Sequence, residues 1–438
     1  MVEKNTSILN RLSEKRSEMV AFSRLMNNRK LDADGLIEKI LIAPDVVEDK
    51  EVIVVQDTTE LNYQDHINYL DLEDRELGPT GDNSEMGFFL HPNLVIDQST
   101  KVGLGFSCIK IWNRNIDKLS KEERKYRKQP IESKESYRWI ECAQKSKEQL
   151  RTAKHVTIIA DRESDIYEEF VRVPDYKTDL IIRSKENRIL HEEKLKLYEK
   201  LGQSEVIGKV NVKLKKDSRK KREKREATLE IRVIRVKISR PKTHKNKTLP
   251  EYVEMYAISA TEVNVPASQD KICWRLLTSY NVEGLAGVLE IINLYCIRWQ
   301  IEILFSTIKT SGIDIESSQL EKGKALKVLC VFGLYVALKI NQLKQAREDQ
   351  TGLPASIVFS KEEIIVLCAL CKKYEGNTEK QKNKYAEGTL AWAAWTIGRV
   401  GGWKGYASES KPGIKTMNMG LRAFYQICDG YWLSKMCA

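Results

Sequence analysis

The sequence predicts an α/β protein that has an antiparallel β unit within the chain and helical regions at both ends. Two short apolar runs, in EVIVVQDTTELNY and HVTIIADRESDIYEEF, are each followed by a polar turn, and the second turn leads into a helical pattern. Between residues 190 and 280, apolar and polar residues alternate with the period of a half-buried strand. Residues 1–48 and the chain after residue 322 follow the helical period instead.

The elements of the first half can be justified in order. The N-terminal region is helical because ILNRLSEKRSEMVAFSRLM carries a loose 3.6-residue period. A buried strand at 52–55 and a hairpin in GFFLHPNLVIDQSTKVGLGFSCIKIW follow, then a helix at 136–151. After the strand in HVTIIA, Asp165 is the expected N-cap of a helix, because Glu168 stands three residues further on. This spacing leaves Asp161 at the carboxyl end of the strand, and TDLIIRSKENR predicts one more strand.

In the second half, VNVKLKK, ATLEIRVIRVKIS, YVEMYAIS and WRLLTSY predict the strands of the antiparallel unit. One long helix is expected from residue 283 to about residue 311. The chain after residue 322 is predicted to be helical except for the polar stretch 372–387, and it ends in helices rich in tryptophan and tyrosine.

The composition indicates a globular protein with an anionic partner. The chain has 438 residues, 42% of them hydrophobic and 31% charged, which is enough for two or three domains. Of the formal net charge of +11, residues 213–225 contribute nine cations against two acids. Such a patch favours a nucleic acid over a membrane surface, with a solvated hairpin tip as the alternative.

Membrane and secretory classes are not expected. The longest apolar run, residues 328–338, is too short to cross a bilayer, and the N-terminal residues lack the apolar segment of a signal peptide. The nine cysteines form no framework, which fits reduced thiols in a cytosol. The pair Cys368 and Cys371 lies in an apolar helical pattern, so a core role is favoured over zinc binding.

The segment YCIRWQIEILFSTIK raises the question of function, because it places polar groups along one side of an apolar helix. On a continuous helix, Tyr295, Arg298, Glu302 and Lys309 would lie within roughly 60° of one another. The simplest interpretation is a solvated face with helix-spaced ion pairs.

Three acids suggest a second interpretation of that stripe. Asp57 and Asp161 each follow a buried strand at its carboxyl end, where α/β folds place their sites. Each aspartate alone could be a turn or capping residue. Together with Glu302, however, they could hold two divalent cations that clamp a phosphodiester, while the neighbouring cations hold the polyanion.

These residues carry a resemblance to a known family. The chain resembles the DDE transposases of bacterial insertion sequences, in the IS-four-type branch marked by the signature Y-x2-R-x3-E-x6-K. Tyr295, Arg298, Glu302 and Lys309 keep every spacing of that signature, and DTTELNY and ADRESDI precede it in the family's order. GFFLHPNLVI, IIRSK, the W-x-L-L-T-S segment and WTIGRVGG are similar too, so the resemblance runs from about residue 20 to the end.

The resemblance implies an RNase H-like catalytic core interrupted by an antiparallel β insertion. Asp57, Asp161 and Glu302 would be the catalytic metal triad, holding two Mg2+ ions for which Mn2+ substitutes. Tyr295, Arg298 and Lys309 would contact DNA phosphates, and Trp274 would stack on a flipped base, although it could instead be a strand core residue. The implied regions are an N-terminal helical DNA-binding region at 1–48, the core at 49–187 and 281–345, the β insertion at 188–280, and a C-terminal helical dimerisation region at 346–438.

The implied activity is cut-and-paste transposition by a DNA endonuclease and strand transferase. Its partners would be transposon ends and target DNA, bound by a homodimer in the bacterial cytoplasm, associated with the nucleoid. Two departures stand out: only 56 residues precede Asp57, fewer than in the family, and Phe305 replaces a histidine that is common three residues after the glutamate. Two alternatives stay open, an N-terminally shortened regulatory transposase that binds DNA or partner subunits without transposing, and a two-carboxylate hydrolase such as a glycosidase.

Overall fold

A computed structural model describes residues 7–8, 13, 15–71, 73, 75–81, 83–115, 129–214, 223–242, 248–266, 269–311, 313–347, 352–406 and 409–436. The chain divides into two compact units. The first unit comprises Met1–Val46, Thr58–Lys118 and Gln300–Ala438, and the second comprises Val47–Asp57 and Leu119–Trp299.

The elements are numbered along the chain. The strands are β1 (Glu51–Gln56), β2 (Thr59–Asn62), β3 (Gly78–Thr80), β4 (Glu85–Asp97), β5 (Gly103–Trp112), β6 (His155–Ala160), β7 (Thr178–Arg183), β8 (Gly208–Leu214), β9 (Arg225–Ser239), β10 (Tyr252–Val263) and β11 (Cys273–Thr278). The helices are α1 (Arg16–Met26), α2 (Ala33–Ile40), α3 (Tyr137–Gln149), α4 (Tyr167–Arg172), α5 (Leu197–Gln203), α6 (Gly284–Cys296), α7 (Trp299–Ser306), α8 (Gly323–Ala346), α9 (Lys361–Tyr374), α10 (Leu390–Val400) and α11 (Ile414–Met436).

The second unit is built on a mixed sheet in the order β1-β6-β7-β11-β10-β9-β8. The pairs β1–β6 and β6–β7 are parallel, and the pairs from β7–β11 to β9–β8 are antiparallel. The apolar residues of β1 and β6 are buried, as the continuous hydrophobic sequences of these two strands predict. The predicted combination of buried α/β strands with an antiparallel β unit is therefore confirmed at the level of a mixed α/β fold.

The first unit contains the predicted hairpin and most of the helices. Strand β4 pairs in antiparallel fashion with β2, β3 and β5. The β4–β5 turn is held by Asp97, whose carboxylate accepts hydrogen bonds from the backbone amides of Ser99 and Thr100, both at 2.9 Å. Helices α8 to α11 bury a shared apolar core that includes Leu343, Trp392 and Phe424.

The prediction of one long helix from residue 283 to about residue 311 is wrong. Helix α6 ends at Cys296. The backbone amides of Ile297 and Arg298 donate hydrogen bonds to the carbonyls three residues back, those of Leu294 and Tyr295, both at 3.0 Å. Such three-residue bonds tighten a helix end and interrupt the regular ladder. Helix α7 then begins at Trp299, and a turn of π-helix, Thr307–Ser311, follows it. The single stripe of polar groups is thus divided over two helices, the turn between them and the π-helical turn.

Two further findings concern the predicted partners. Most of the basic run at 213–225 lies outside the described residues, so its predicted hairpin tip is not described. No helix in the described part of the chain has both the length and the apolar character that a membrane span requires.

Candidate active site

The carboxyl ends of β1 and β6 place two predicted acids next to each other along the sheet. The parallel register runs from Glu51 opposite His155 to Val55 opposite Ile159. Continued by two residues, this register brings Asp57 level with Asp161 on strands that lie about 4.8 Å apart. Both strand ends belong to the second unit. The interpretation of Asp57 and Asp161 as paired acids therefore has a geometric basis within one compact unit.

Asp161 also has a local structural role. It precedes a short 3-10 turn, Arg162–Ser164, and its Oδ1 atom accepts a hydrogen bond from the backbone amide of Glu163 at 2.8 Å. One carboxylate oxygen is thus used to hold the turn that follows the strand. The backbone at Asp161 is extended, so the acid continues the strand before the turn begins.

Asp165 does not cap helix α4, contrary to the sequence prediction. The N-cap position is occupied by Ile166. The Asp165 side chain, which is fully buried, pairs instead with Arg188 and accepts hydrogen bonds from the backbone amides of Lys185 and Glu186 at 2.7 and 2.8 Å. A buried carboxylate requires such partners, and the loop after β7 supplies a guanidinium and two amides where the helix end would supply only amides.

A buried glutamate joins the two strand ends. Glu169 is 0% exposed, and its carboxyl group contacts the Gln56 Nε2 atom at 3.4 Å and the Ser164 Oγ atom at 2.6 Å. Gln56 immediately precedes Asp57, and Ser164 ends the turn that Asp161 begins. Burial raises the pKa of Glu169 to about 8, with a smaller contribution in the same direction from Asp165 and an opposing one from the Ser164 hydrogen bond.

Arg298 forms a direct ion pair with Asp57. Its Nη1 atom lies 2.7 Å from Asp57 Oδ2, and the two side chains are 16% and 15% exposed. Arg298 stands in the turn between α6 and α7. The interaction joins the signature segment to the end of β1 inside the second unit.

Tyr295 lies near the same charges. Its side chain is 8% exposed, and burial raises the pKa of its hydroxyl. The positive charges of Arg298 and Arg183 oppose this rise, and the negative charge of Asp161 reinforces it. Tyr295, Arg298, Asp57 and Asp161 therefore share one electrostatic environment.

The remaining predicted residues lie on other elements. Glu302 is in the first turn of α7, and Lys309 is in the π-helical turn, where its Nζ atom lies 3.4 Å from Glu316 Oε1. These residues belong to the first unit. Trp274 is half-buried on β11, opposite Ala260 of β10.

Comparison with known families identifies the middle of the chain. Residues 139–336 match the family model described as the transposase DDE domain. This part of the chain is therefore similar to the DDE domain of transposases, which are metal-dependent enzymes that cleave and transfer DNA. The DDE-domain match covers Asp161 and the whole signature segment, and it leaves Asp57 outside.

The donor chemistry of the paired aspartates fits the divalent cation that the DDE-domain match implies. Carboxylate oxygens are the ligands that Mg2+ prefers, and the register of β1 and β6 supplies two of them at one sheet edge. Within the described residues, no group of three or more histidine, cysteine, aspartate or glutamate side chains is arranged to hold a metal ion. Asp57 is engaged by Arg298 instead.

Two residues of this site escaped the sequence analysis. Glu169 looked like an ordinary acid in the first turn of a helix, where acids are common. Arg183 ends β7 within the IIRSK segment that carried the resemblance, but its influence on Tyr295 depends on how α6 packs against β7. The only available signal was the position of Arg183 at a strand end beside the other strand ends.

Proposed function

We propose that this protein is a cut-and-paste DNA transposase of the IS-four-type branch, with Asp57, Asp161 and Glu302 as its catalytic acids. The observation that carries the proposal is the parallel register of β1 and β6, which, if continued by two residues, would bring Asp57 level with Asp161. The family match over residues 139–336 supports the same chemistry and contains the third acid. In this proposal the fold is an RNase H-like core, and β8 to β11 form its insertion.

The three acids would hold two Mg2+ ions, or Mn2+ ions in their place. When bound, such ions supply Lewis-acid stabilisation of the attacking and leaving oxygens of a phosphodiester. The reactions would be strand cleavage by water, hairpin formation, hairpin opening and strand transfer into target DNA. Each of these reactions is a phosphoryl transfer, so one set of catalytic acids suffices for all four.

The protein's own residues would position the DNA. Arg298, Lys309 and Tyr295 would contact phosphates near the cut, since two of them are cationic and the third carries a hydroxyl in the same charged environment. Trp274 is only half-buried, which leaves ring surface available for stacking on an unpaired base.

A dimer would hold the two DNA ends, and the last helix is its proposed contact surface. Helix α11 exposes Met419 (61%), Leu433 (62%) and Met436 (84%), and apolar groups so exposed are typical of a surface that meets a partner. The proposed location is the bacterial cytoplasm, in association with the nucleoid.

The test is incubation of the protein with linear DNA that carries its own flanking ends, with Mg2+ or Mn2+, followed by detection of nicks and hairpins. Asp57→Asn, Asp161→Asn and Glu302→Gln should each abolish cleavage and leave the circular dichroism spectrum unchanged. Asp49→Asn is the matched control, because this exposed aspartate lies in the second unit just before β1, at the opposite end of that strand from Asp57. If one of these three variants cuts at the wild-type rate, the acid that it replaces is not one of the catalytic acids. DNA binding without any cleavage by the wild-type chain would favour a regulatory transposase.

A further inference from the structure

The ion pair between Arg298 and Asp57 joins the proposed phosphate-binding residue to the proposed metal ligand. The two groups are 2.7 Å apart, and each side chain is about one-sixth exposed. In such partly dehydrated surroundings the attraction between opposite charges is stronger than in bulk water. Arginine stays protonated throughout the pH range in which proteins are studied, so a change of pH that leaves Asp57 ionised does not release the pair.

Two kinds of competitor can release it. A divalent cation competes with the guanidinium for the Asp57 carboxylate, and a phosphate competes with the carboxylate for Arg298. The guanidinium lies at the end of a long flexible side chain that starts from the turn between α6 and α7. It can therefore exchange a carboxylate for a phosphate through side-chain rotations.

We propose that Arg298 occupies Asp57 in the DNA-free protein and that DNA and a divalent cation each displace this ion pair, so that binding of either one strengthens binding of the other. The inference rests on the proposed function, because it takes Asp57 as a metal ligand and Arg298 as a phosphate ligand. The first ligand to bind must break the ion pair. The second ligand then meets a group that is already released, and the two binding equilibria are coupled.

Coupling of this kind is reciprocal for equilibrium affinities. DNA should raise the affinity for the cation by the same factor by which the cation raises the affinity for DNA. Couplings between sites typically amount to roughly 5- to 150-fold. Removal of the Arg298 charge should abolish the coupling and leave the cation affinity permanently high, although it removes a contact to DNA.

The experiment measures Mn2+ binding by the electron paramagnetic resonance signal of free Mn2+, at fixed ionic strength and without DNA. Wild-type protein is compared with Arg298→Met, Arg298→Lys and Asp57→Asn. Arg235→Met is the matched control for the loss of one positive charge, because Arg235 forms an exposed ion pair with Glu254 in the same unit. We expect Arg298→Met to bind Mn2+ at least about fivefold more tightly than wild type, and Arg298→Lys and Arg235→Met to bind it nearly as wild type does.

A second measurement does not depend on the folding of any variant. Mn2+ binding to the wild-type protein is repeated with a saturating DNA duplex, with correction for Mn2+ bound by the duplex alone, and should tighten. The affinity of the wild-type protein for a fluorescently labelled duplex should rise with Mn2+ by the same factor.

The outcomes separate the inference from the proposed function. If Asp57→Asn weakens Mn2+ binding but Arg298→Met binds Mn2+ no more tightly than wild type, the metal site stands and the coupling through Arg298 is overturned. Equal wild-type affinities for Mn2+ with and without the duplex would also overturn the coupling. If Asp57→Asn leaves Mn2+ binding unchanged, the metal role of Asp57 in the proposed function is overturned, and the inference falls with it.

Discussion

Glu169→Gln should remove a pH dependence from the stability of the second unit. Glu169 is fully buried between Gln56 and Ser164, and burial raises its pKa to about 8, against a reference value of 4.5. Near neutral pH the folded chain therefore holds a proton on this side chain, whereas the unfolded chain has released it. The substitution replaces the protonated carboxyl group by a neutral amide of nearly the same shape.

The sign and size of the effect follow from proton linkage. Between pH 4.5 and about pH 8 the folded state binds one more proton at Glu169 than the unfolded state does, so stability falls as the pH rises through this range. The slope is at most about 1.4 kcal/mol per pH unit, which gives a loss of roughly 3 kcal/mol at most between pH 5.5 and 7.5. Below pH 4.5 this group contributes no further slope, because both states are protonated.

The assay is urea unfolding, followed by tryptophan fluorescence at several pH values from 5 to 8.5, since Trp139 on α3 is fully buried in this unit. The difference between the free energies of unfolding of variant and wild type isolates the Glu169 contribution from other titrating groups. Glu226→Gln, at an exposed position of β9, is the control for loss of one carboxylate. A difference between Glu169→Gln and wild type that stays constant from pH 5 to 8.5 would refute the reasoning.

The amide introduced by Glu169→Gln can be accommodated at this position. Gln56 Oε1 is buried and accepts no hydrogen bond from the described residues. An exchange of the amide oxygen and nitrogen of Gln56, which have nearly the same size and shape, would turn that oxygen toward residue 169. The same arrangement suits a protonated Glu169, so the variant should be close to wild type in stability at pH 5.5 and more stable at pH 8.5.

Two further predictions use other ion pairs. Asp165→Asn should destabilise the protein by about 3–5 kcal/mol, because it leaves the buried Arg188 guanidinium without its counter-charge; a loss below about 1 kcal/mol in urea unfolding would contradict this estimate. Glu316→Gln should strengthen non-specific DNA binding and steepen its log–log salt dependence by about 0.9, because it releases Lys309 for one more phosphate contact. An unchanged slope in anisotropy titrations at several salt concentrations would mean that Lys309 contacts no phosphate.

The strands that carry the first two acids were predictable because their signal is local. A run of four β-branched residues before Asp57 and a similar run before Asp161 identify buried strands that end at these acids. Their parallel pairing follows from the α/β pattern, and the register that brings the acids level agrees with it. The hairpin of β4 and β5 was predictable for the same reason, because Asp97 at the turn accepts a hydrogen bond from the nearby backbone amide of Ser99.

The parts that could not be predicted depend on partners distant in sequence. The spacing of Asp165 and Glu168 is that of a helix cap, but the loop after β7 offers Asp165 a guanidinium and two amides. Glu169 owes its raised pKa to burial, and one of its hydrogen-bond partners, Gln56, lies 113 residues away in the sequence. No pattern within a window of one helix contains this information.

The break after α6 shows how local sequence patterns and contacts between distant residues together determine the structure of the signature segment. Periodicity alone predicted a continuous helix from residue 283, on which Tyr295, Arg298, Glu302 and Lys309 would form one polar stripe. In the fold, Arg298 pairs with Asp57 from the turn between two helices, and Lys309 pairs with Glu316 from a π-helical turn. Each cation is thus held by a carboxylate, so the attraction of this segment for DNA is smaller in the free protein than a count of its charges suggests. In the proposed function, DNA displaces Asp57 from Arg298 and Glu316 from Lys309, so both cations become available to its phosphates. Until then, the two ion pairs limit the binding of other polyanions to this segment.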